Sequence, residues 1–197
     1  MGKLYLKKNL IKLPKFIIIE GFWQIGKGKL IDYLDNKFNY IVIAEPDHLI
    51  HNIKGNISEW YCKKHRERHK NAIKQFKNGK QIILERSIIS SIAFDYAKDH
   101  KFSSVYQKDL EAIRKLKDFL VIFLYASKNF VRKRVLKVKD TSVKKQILNN
   151  DNFYQNYLDF YKNILPPLID HKILFIKVDY KNKFKSSQNI IKNGFVC

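Results

Sequence analysis

The sequence predicts an α/β fold, a five-stranded parallel sheet with helices on both faces and a short basic lid, in one domain over residues 1–197. Three observations carry this. Five short apolar runs lack the polar–apolar alternation of a half-exposed strand, as strands buried on both faces do. Segments of helical spacing separate them, and strand–helix alternation implies a parallel sheet with helices on either side. A glycine-framed loop ending in lysine joins the first run to the first helical segment.

The first run is Phe16-Ile17-Ile18-Ile19, bounded by Pro14 and Gly21. A helix follows from Lys27 to Asn36, with Leu30, Ile31 and Leu34 on one side. The second run, Tyr40 to Ala44, stops at Glu45-Pro46. Ser58 to Asn78 reads as a long helix carrying Trp60, Ile73 and Phe76, closed by Gly79. Gln81 to Leu84 is the third strand, and Ser87 stands where it can cap a following helix. Phe119 to Leu124 is the fourth. The basic segment Phe130 to Val138 comes next, then a helix from Asn150 to Leu165 that ends before Pro166-Pro167. Lys172 to Val178 completes the sheet.

Composition narrows the function classes. No apolar run approaches the about 18–20 residues that cross a bilayer, and the lysine-studded N-terminus lacks a signal-peptide core, so a cytoplasmic protein is expected. Cys62 and Cys197 make no disulfide framework and lack metal-ligand spacing. The net charge of +21, from 39 basic and 18 acidic residues, attracts polyanions. The excess is mostly lysine spread along the chain, Lys181, Lys183 and Lys185 included, and this favours a solvated surface over a specific nucleic-acid reader.

In open parallel sheets ligands bind beyond the carboxyl ends of the strands, so the residues after each run are the informative ones. After the first stands Gly21-Phe22-Trp23-Gln24-Ile25-Gly26-Lys27-Gly28-Lys29. Gly-x-x-x-x-Gly-Lys between a strand and a helix lets backbone N–H groups and a lysine cradle phosphates; an ordinary glycine turn is the plain alternative. The next position of such a loop is usually Ser or Thr, whose hydroxyl ligates Mg²⁺, and here it is Gly28. After the second run, Glu45 is placed to take a proton from an attacking hydroxyl, or Pro46 simply sets a turn. After the third, Glu85-Arg86 suits phosphoryl transfer, the acid ordering a metal and the arginine stabilising charge; a local ion pair is the alternative. In the basic stretch Arg132 to Lys139, Arg134 is the candidate to clamp phosphoryl oxygens from a lid.

Ile19-Glu20-Gly21…Gly26-Lys27, Glu45-Pro46, Leu84-Glu85-Arg86-Ser87-Ile88-Ile89-Ser90-Ser91-Ile92-Ala93-Phe94 and the stretch around Arg134 occur in that order from Phe16 to about Val178. Together they resemble the thymidylate kinase and deoxynucleoside kinase superfamily of P-loop kinases. Trp23 or Gln24 where thymidylate kinases place an Asp, Ala44 where they place an Arg, and Glu85 where they read Asp all resemble the deoxynucleoside branch. The helix around Lys64-His65-Arg66-Glu67-Arg68-His69 looks more like thymidylate kinase, in which the position matching Arg66 contacts the base.

The resemblance implies an ATP-dependent phosphotransferase acting on a (deoxy)nucleoside 5′-hydroxyl, with ATP and Mg²⁺ as cofactors. Its ATP site is Gly21, Trp23, Gln24, Ile25, Gly26, Lys27, Gly28 and Lys29. Lys27, Glu45, Glu85, Arg86 and Arg134 are the catalytic set. Glu85 organises the metal, and Glu45, Trp60, Tyr61, Arg66 and Arg86 receive the acceptor. The implied partner is a small nucleoside or nucleotide, with a homodimer usual in the family and neither a membrane nor a specific nucleic acid. The alternatives are a thymidylate kinase-like monophosphate kinase, for which Arg66, Arg68 or Arg86 would supply the cation, and a degenerate nucleotide-binding homologue, which Gly28 invites.

Overall fold

The computed structural model describes residues 13–47, 50–51, 53, 55–137, 150–171 and 173–178. Five strands, β1 (Phe16–Gly21), β2 (Ile41–Ile43), β3 (Ile82–Glu85), β4 (Phe119–Tyr125) and β5 (Ile173–Lys177), form one sheet in the order β2-β3-β1-β4-β5, every pair parallel. All six residues of β1 are buried. Successive side chains point to opposite faces, so both faces of the central strand are covered. This is the predicted sheet.

Helices fill the crossovers: α1 (Lys27–Phe38), α2 (Ile57–Lys77), α3 (Ile88–Asp99), α4 (Gln107–Arg114), α5 (Lys128–Val135), α6 (Asp151–Asp159) and α7 (Leu165–Ile169). Ser87 does cap α3, its side chain accepting from Ile89 N–H. α4, preceded by a short 3₁₀ turn at Ser104–Tyr106, was not foreseen. The helix expected to stop before Pro166-Pro167 instead passes through a π turn (Phe160–Ile164) into α7, where the prolines occupy the first turn. Their missing N–H groups cost little there. The basic helix begins at Lys128 and ends at Val135; Val138 and Lys139, like Lys181, Lys183, Lys185 and Cys197, lie outside the described residues.

The core is rich in aromatic side chains. Phe22, Phe123, Phe153, Tyr157, Phe160 and Tyr161 are each fully buried, and Phe123 stacks on Tyr161 with centroids 4.0 Å apart. The two tyrosines bring polar atoms into this core, and a buried phenol needs a partner. They find it at the carboxyl ends of the strands.

Candidate active site

β1 delivers Glu20 and Gly21 to the sheet's upper edge. Gly21 has φ 139°, and a Cβ there would lie 2.3 Å from the Leu124 carbonyl oxygen, so only glycine lets β1 and β4 stay this close. The loop that follows is anchored by burial of Phe22 and Ile25, with Phe22 stacked on Tyr154 at 4.8 Å. Gln24 is exposed in the left-handed region, and Gly26, φ 103°, opens α1 without a side-chain cap or an acidic first turn. The first N–H groups of α1 are therefore left without a side-chain cap or a competing carboxylate in that turn. Lys27 is 7% exposed and its Nζ donates to the Phe22 carbonyl at 3.3 Å. Burial, then Arg86, lowers its pKa to about 8 against the opposing pull of Glu45, Glu85 and Glu20. Gly28 and Lys29 are exposed, and a Cβ on Gly28 would meet nothing within 4 Å.

Glu20 is the feature that sequence reasoning left out of the site. Its carboxylate, fully buried, accepts from Ser87 N–H (2.9 Å), Ser87 Oγ (2.8 Å), Ser90 Oγ and Tyr161 OH (3.0 Å). Burial raises its pKa, while Ser90, Arg86 and Ser87 pull the other way. Four donors leave an acceptor-only group well satisfied, as a carboxylate requires. The π turn begins one residue before Tyr161, and such turns often re-aim a side chain. A signal was present: a glutamate inside an otherwise apolar strand needs buried donors.

Arg86 is held by its neighbours. Its N–H bonds Ile19 O at 3.0 Å and the next N–H, of Ser87, bonds Glu20, which fixes Arg86 at φ 52°. The guanidinium lies 3.0 Å from Glu45 Oε2, within ion-pair reach but off the hydrogen-bond axis. Nη1 approaches Ser90 Oγ and Tyr157 OH at 3.4 Å each, and Nη2 has no hydrogen-bond partner among the described residues. The Trp23 ring covers it at 4.9 Å. Burial opposes its charge, but Glu45, then Tyr157 and Glu20, hold its pKa above the ordinary value. Glu85 stands beside it, Oε2 accepting from Glu45 N–H at 3.4 Å.

Arg86 and Glu45 line a cavity of about 320 Å³ between α2 and α3, together with Trp23, Tyr61, His65 and Phe94. Lys27, Glu45, Glu85 and Arg86 are thus brought together, with Tyr61 in the wall. Trp23, expected with ATP, lines this cavity instead. Trp60 packs on His51 and Tyr61 outside it. Arg66 turns away: it pairs with Asp109 at 2.8 Å, donates to Val105 O, and lines a separate outer depression. Arg68 donates to the carbonyls of Ile43, Glu85 and Arg86, closing the ends of β2 and β3 rather than facing a ligand. Arg134 sits over Phe130 of its own helix at 5.3 Å and is not part of the cavity wall.

Among the described residues no cluster of three or more His, Cys, Asp or Glu is arranged for a metal. Of the glutamates at the strand ends, Glu20 is saturated, Glu45 faces Arg86, and Glu85 accepts from Glu45 N–H. Cys62 is a free thiol bonded to Tyr106 OH. No helix among the described residues is long and apolar enough to cross a membrane.

No protein-family model matches the chain, and no curated protein matches it in sequence. Solved structures do match it in shape. Deoxyadenosine kinase from M. mycoides with bound dATP superposes with a TM-score of 0.55 at 18% identity, over 88% of this chain and 97% of that one. The same enzyme with bound dCTP gives 0.53 at 18% identity over the same shares. The YorR protein from Bacillus subtilis, in complex with phosphorylated GDP, gives 0.51 at 17% identity, over 82% of this chain and 85% of that one. The fold is that of the P-loop nucleoside kinases.

Proposed function

We propose that the chain transfers the γ-phosphoryl group of ATP to the 5′-hydroxyl of a (deoxy)nucleoside. The observation that carries this reading is that Glu45 and Arg86, 3.0 Å apart, line a cavity and lie within electrostatic reach of Lys27 in the loop. Lys27 and the loop amides hold the donor phosphates. The acceptor lies in the cavity with its 5′-oxygen toward Glu45, which takes the hydroxyl proton as that oxygen attacks the γ-phosphorus in line. The bond from the γ-phosphorus to the β–γ bridging oxygen breaks and ADP leaves. Arg86 orients the acceptor end, its uncommitted Nη2 offering a donor, and Arg134 closes from the lid. The donor set fits Mg²⁺ carried in on the nucleotide phosphates, with Glu85 as the protein's carboxylate. When bound, the ion neutralises charge on those phosphates.

A nucleoside is preferred to a monophosphate as acceptor because the three arginines considered for an acceptor phosphate have other contacts, although Lys98 also lines the cavity. Arg68 is spent on backbone carbonyls, Arg66 is outside, and Arg86 is paired with Glu45. The fold shared with a deoxyadenosine kinase supports the same direction. The test is ADP release from Mg·ATP with the four deoxynucleosides and their monophosphates. Turnover is expected on a nucleoside, lost in Lys27→Ala and lowered about 10²–10⁴-fold in Glu45→Gln. Turnover on monophosphates alone, or on none, overturns it.

A second reading, nucleotide binding without turnover, is favoured by Gly28. The space around it admits a side chain, so Gly28→Ser should fold normally and raise Mg²⁺-dependent kcat/KM by about tenfold or more if the missing hydroxyl limits the reaction. Equal rates with and without the serine would place no limitation at this position.

A further inference from the structure

One residue lining the cavity carries a buried polar atom that the roles above leave unexplained. His65, on α2, is 3% exposed. Its Nδ1 lies 3.0 Å from Ser91 Oγ on α3, and its Nε2 is buried with no hydrogen-bond partner among the described residues. Burial, then the charges of Arg68 and Arg86, pushes its pKa down to about 3, so the ring is neutral under ordinary conditions. A neutral imidazole fixed at one nitrogen offers a single hydrogen-bonding atom at the other. Nε2 donates when Nδ1 accepts from Ser91, and accepts when Nδ1 donates. Leaving such an atom buried and unpaired costs roughly 1–3 kcal/mol, a cost a bound partner removes.

The neighbours say what kind of partner. Tyr61, one turn earlier on α2, has its ring 5.6 Å from that of His65, and Trp23 and Phe94 complete an aromatic wall. Such rings take a flat heterocycle face-on and leave its edge for a hydrogen-bonding group. We infer that His65, through Nε2, reads the edge of the acceptor's nucleobase and is a specificity-determining residue of this chain. This inference rests on the reading of the cavity as the nucleoside site. It gives to His65 the contact that the resemblance gave to Arg66, which the structure turns toward Asp109.

The experiment is calorimetric binding of the four deoxynucleosides to the full chain without ATP, in wild type and His65→Leu. In wild type at least one nucleoside should bind. In His65→Leu the preferred base should weaken about tenfold relative to the least preferred, the value of one lost hydrogen bond in a buried site. A uniform weakening of all four, as damaged packing or a lost sugar contact would give, overturns the inference, and so does an unchanged ranking. If wild type binds no nucleoside, the reading of the cavity fails first and is seen to fail separately. Should the leucine variant not fold, nitrogen-15 spectra of the six histidines in wild type decide: the Nε2 resonance of His65 should move on adding the preferred nucleoside, and a stationary resonance overturns the assignment.

Discussion

Lys27 joins two demands that oppose each other. Under the proposed function the donor phosphates need its charge, yet burial and Arg86 lower its pKa to about 8. Metal-free ATP binding should therefore be level below pH 8 and weaken as pH rises through that value, when the ammonium loses its proton. Lys27→Arg, whose charge persists above pH 12, should flatten the profile. Titrating fluorescent ATP analogue binding from pH 6 to 10 checks this, and parallel profiles for the two proteins would refute it. The motif located Lys27 at the junction of β1's loop and α1 because the spacing between strand and helix is local. It said nothing of Glu20, whose four donors come from α3 and the π turn, up to 141 positions away. Nor could it give the route by which Arg86 is pinned to β1. Those contacts exist only after the sheet has assembled.

At the level of the element, α2 shows where reading by residue type went astray. Arg66 and Arg68 look equivalent in the sequence. The buried positions His65, His69 and Ala72 follow one another at spacings of four and three, and Arg68 lies within that stripe while Arg66 lies off it. Two histidines standing where leucine is usual disguised the stripe. Arg68 consequently serves architecture: three carbonyls at the ends of β2 and β3 depend on its guanidinium. Arg68→Met keeps the stem and removes those donors. It should lower stability by about 2–4 kcal/mol and reduce kcat without a specific rise in acceptor KM, because the carbonyl of Arg86 itself is released. Urea unfolding with parallel kinetics distinguishes this from a ligand-binding arginine, for which KM alone would rise.

Across the whole molecule, the sheet and its order of helices were legible because apolar runs report burial directly. α4 and the π turn were not, since a short amphipathic helix and a one-residue irregularity leave no periodic trace. The two buried histidines should make stability fall with acid, against an opposite contribution from Glu20, whose pKa burial raises. His65 and His69 are buried and neutral, with pKa values lowered by burial to about 3 and about 4. The unfolded chain binds their protons near pH 6.5 and the folded chain does not, so stability falls as pH drops below 6.5 and levels off near 4 and then 3. The total loss is on the order of several kcal/mol. Unfolding midpoints at pH 7 and pH 4.5, compared between wild type and His69→Phe, test it: the replacement should lessen the loss of stability in acid, and an equal loss in both proteins would show that the His69 ring is not held neutral.

Two glycines around the loop between β1 and α1, seven positions apart, stand under opposite constraint. At Gly21 any side chain would collide with the backbone of β4, whereas at Gly28 one would enter open space. Saturation mutagenesis selected only for folded protein should leave position 21 empty of survivors and position 28 populated by many. Random drift over generations meets the same asymmetry: architecture guards the first glycine, and nothing in the packing guards the second. If glycine persists at 28 through such drift, something other than packing keeps it there.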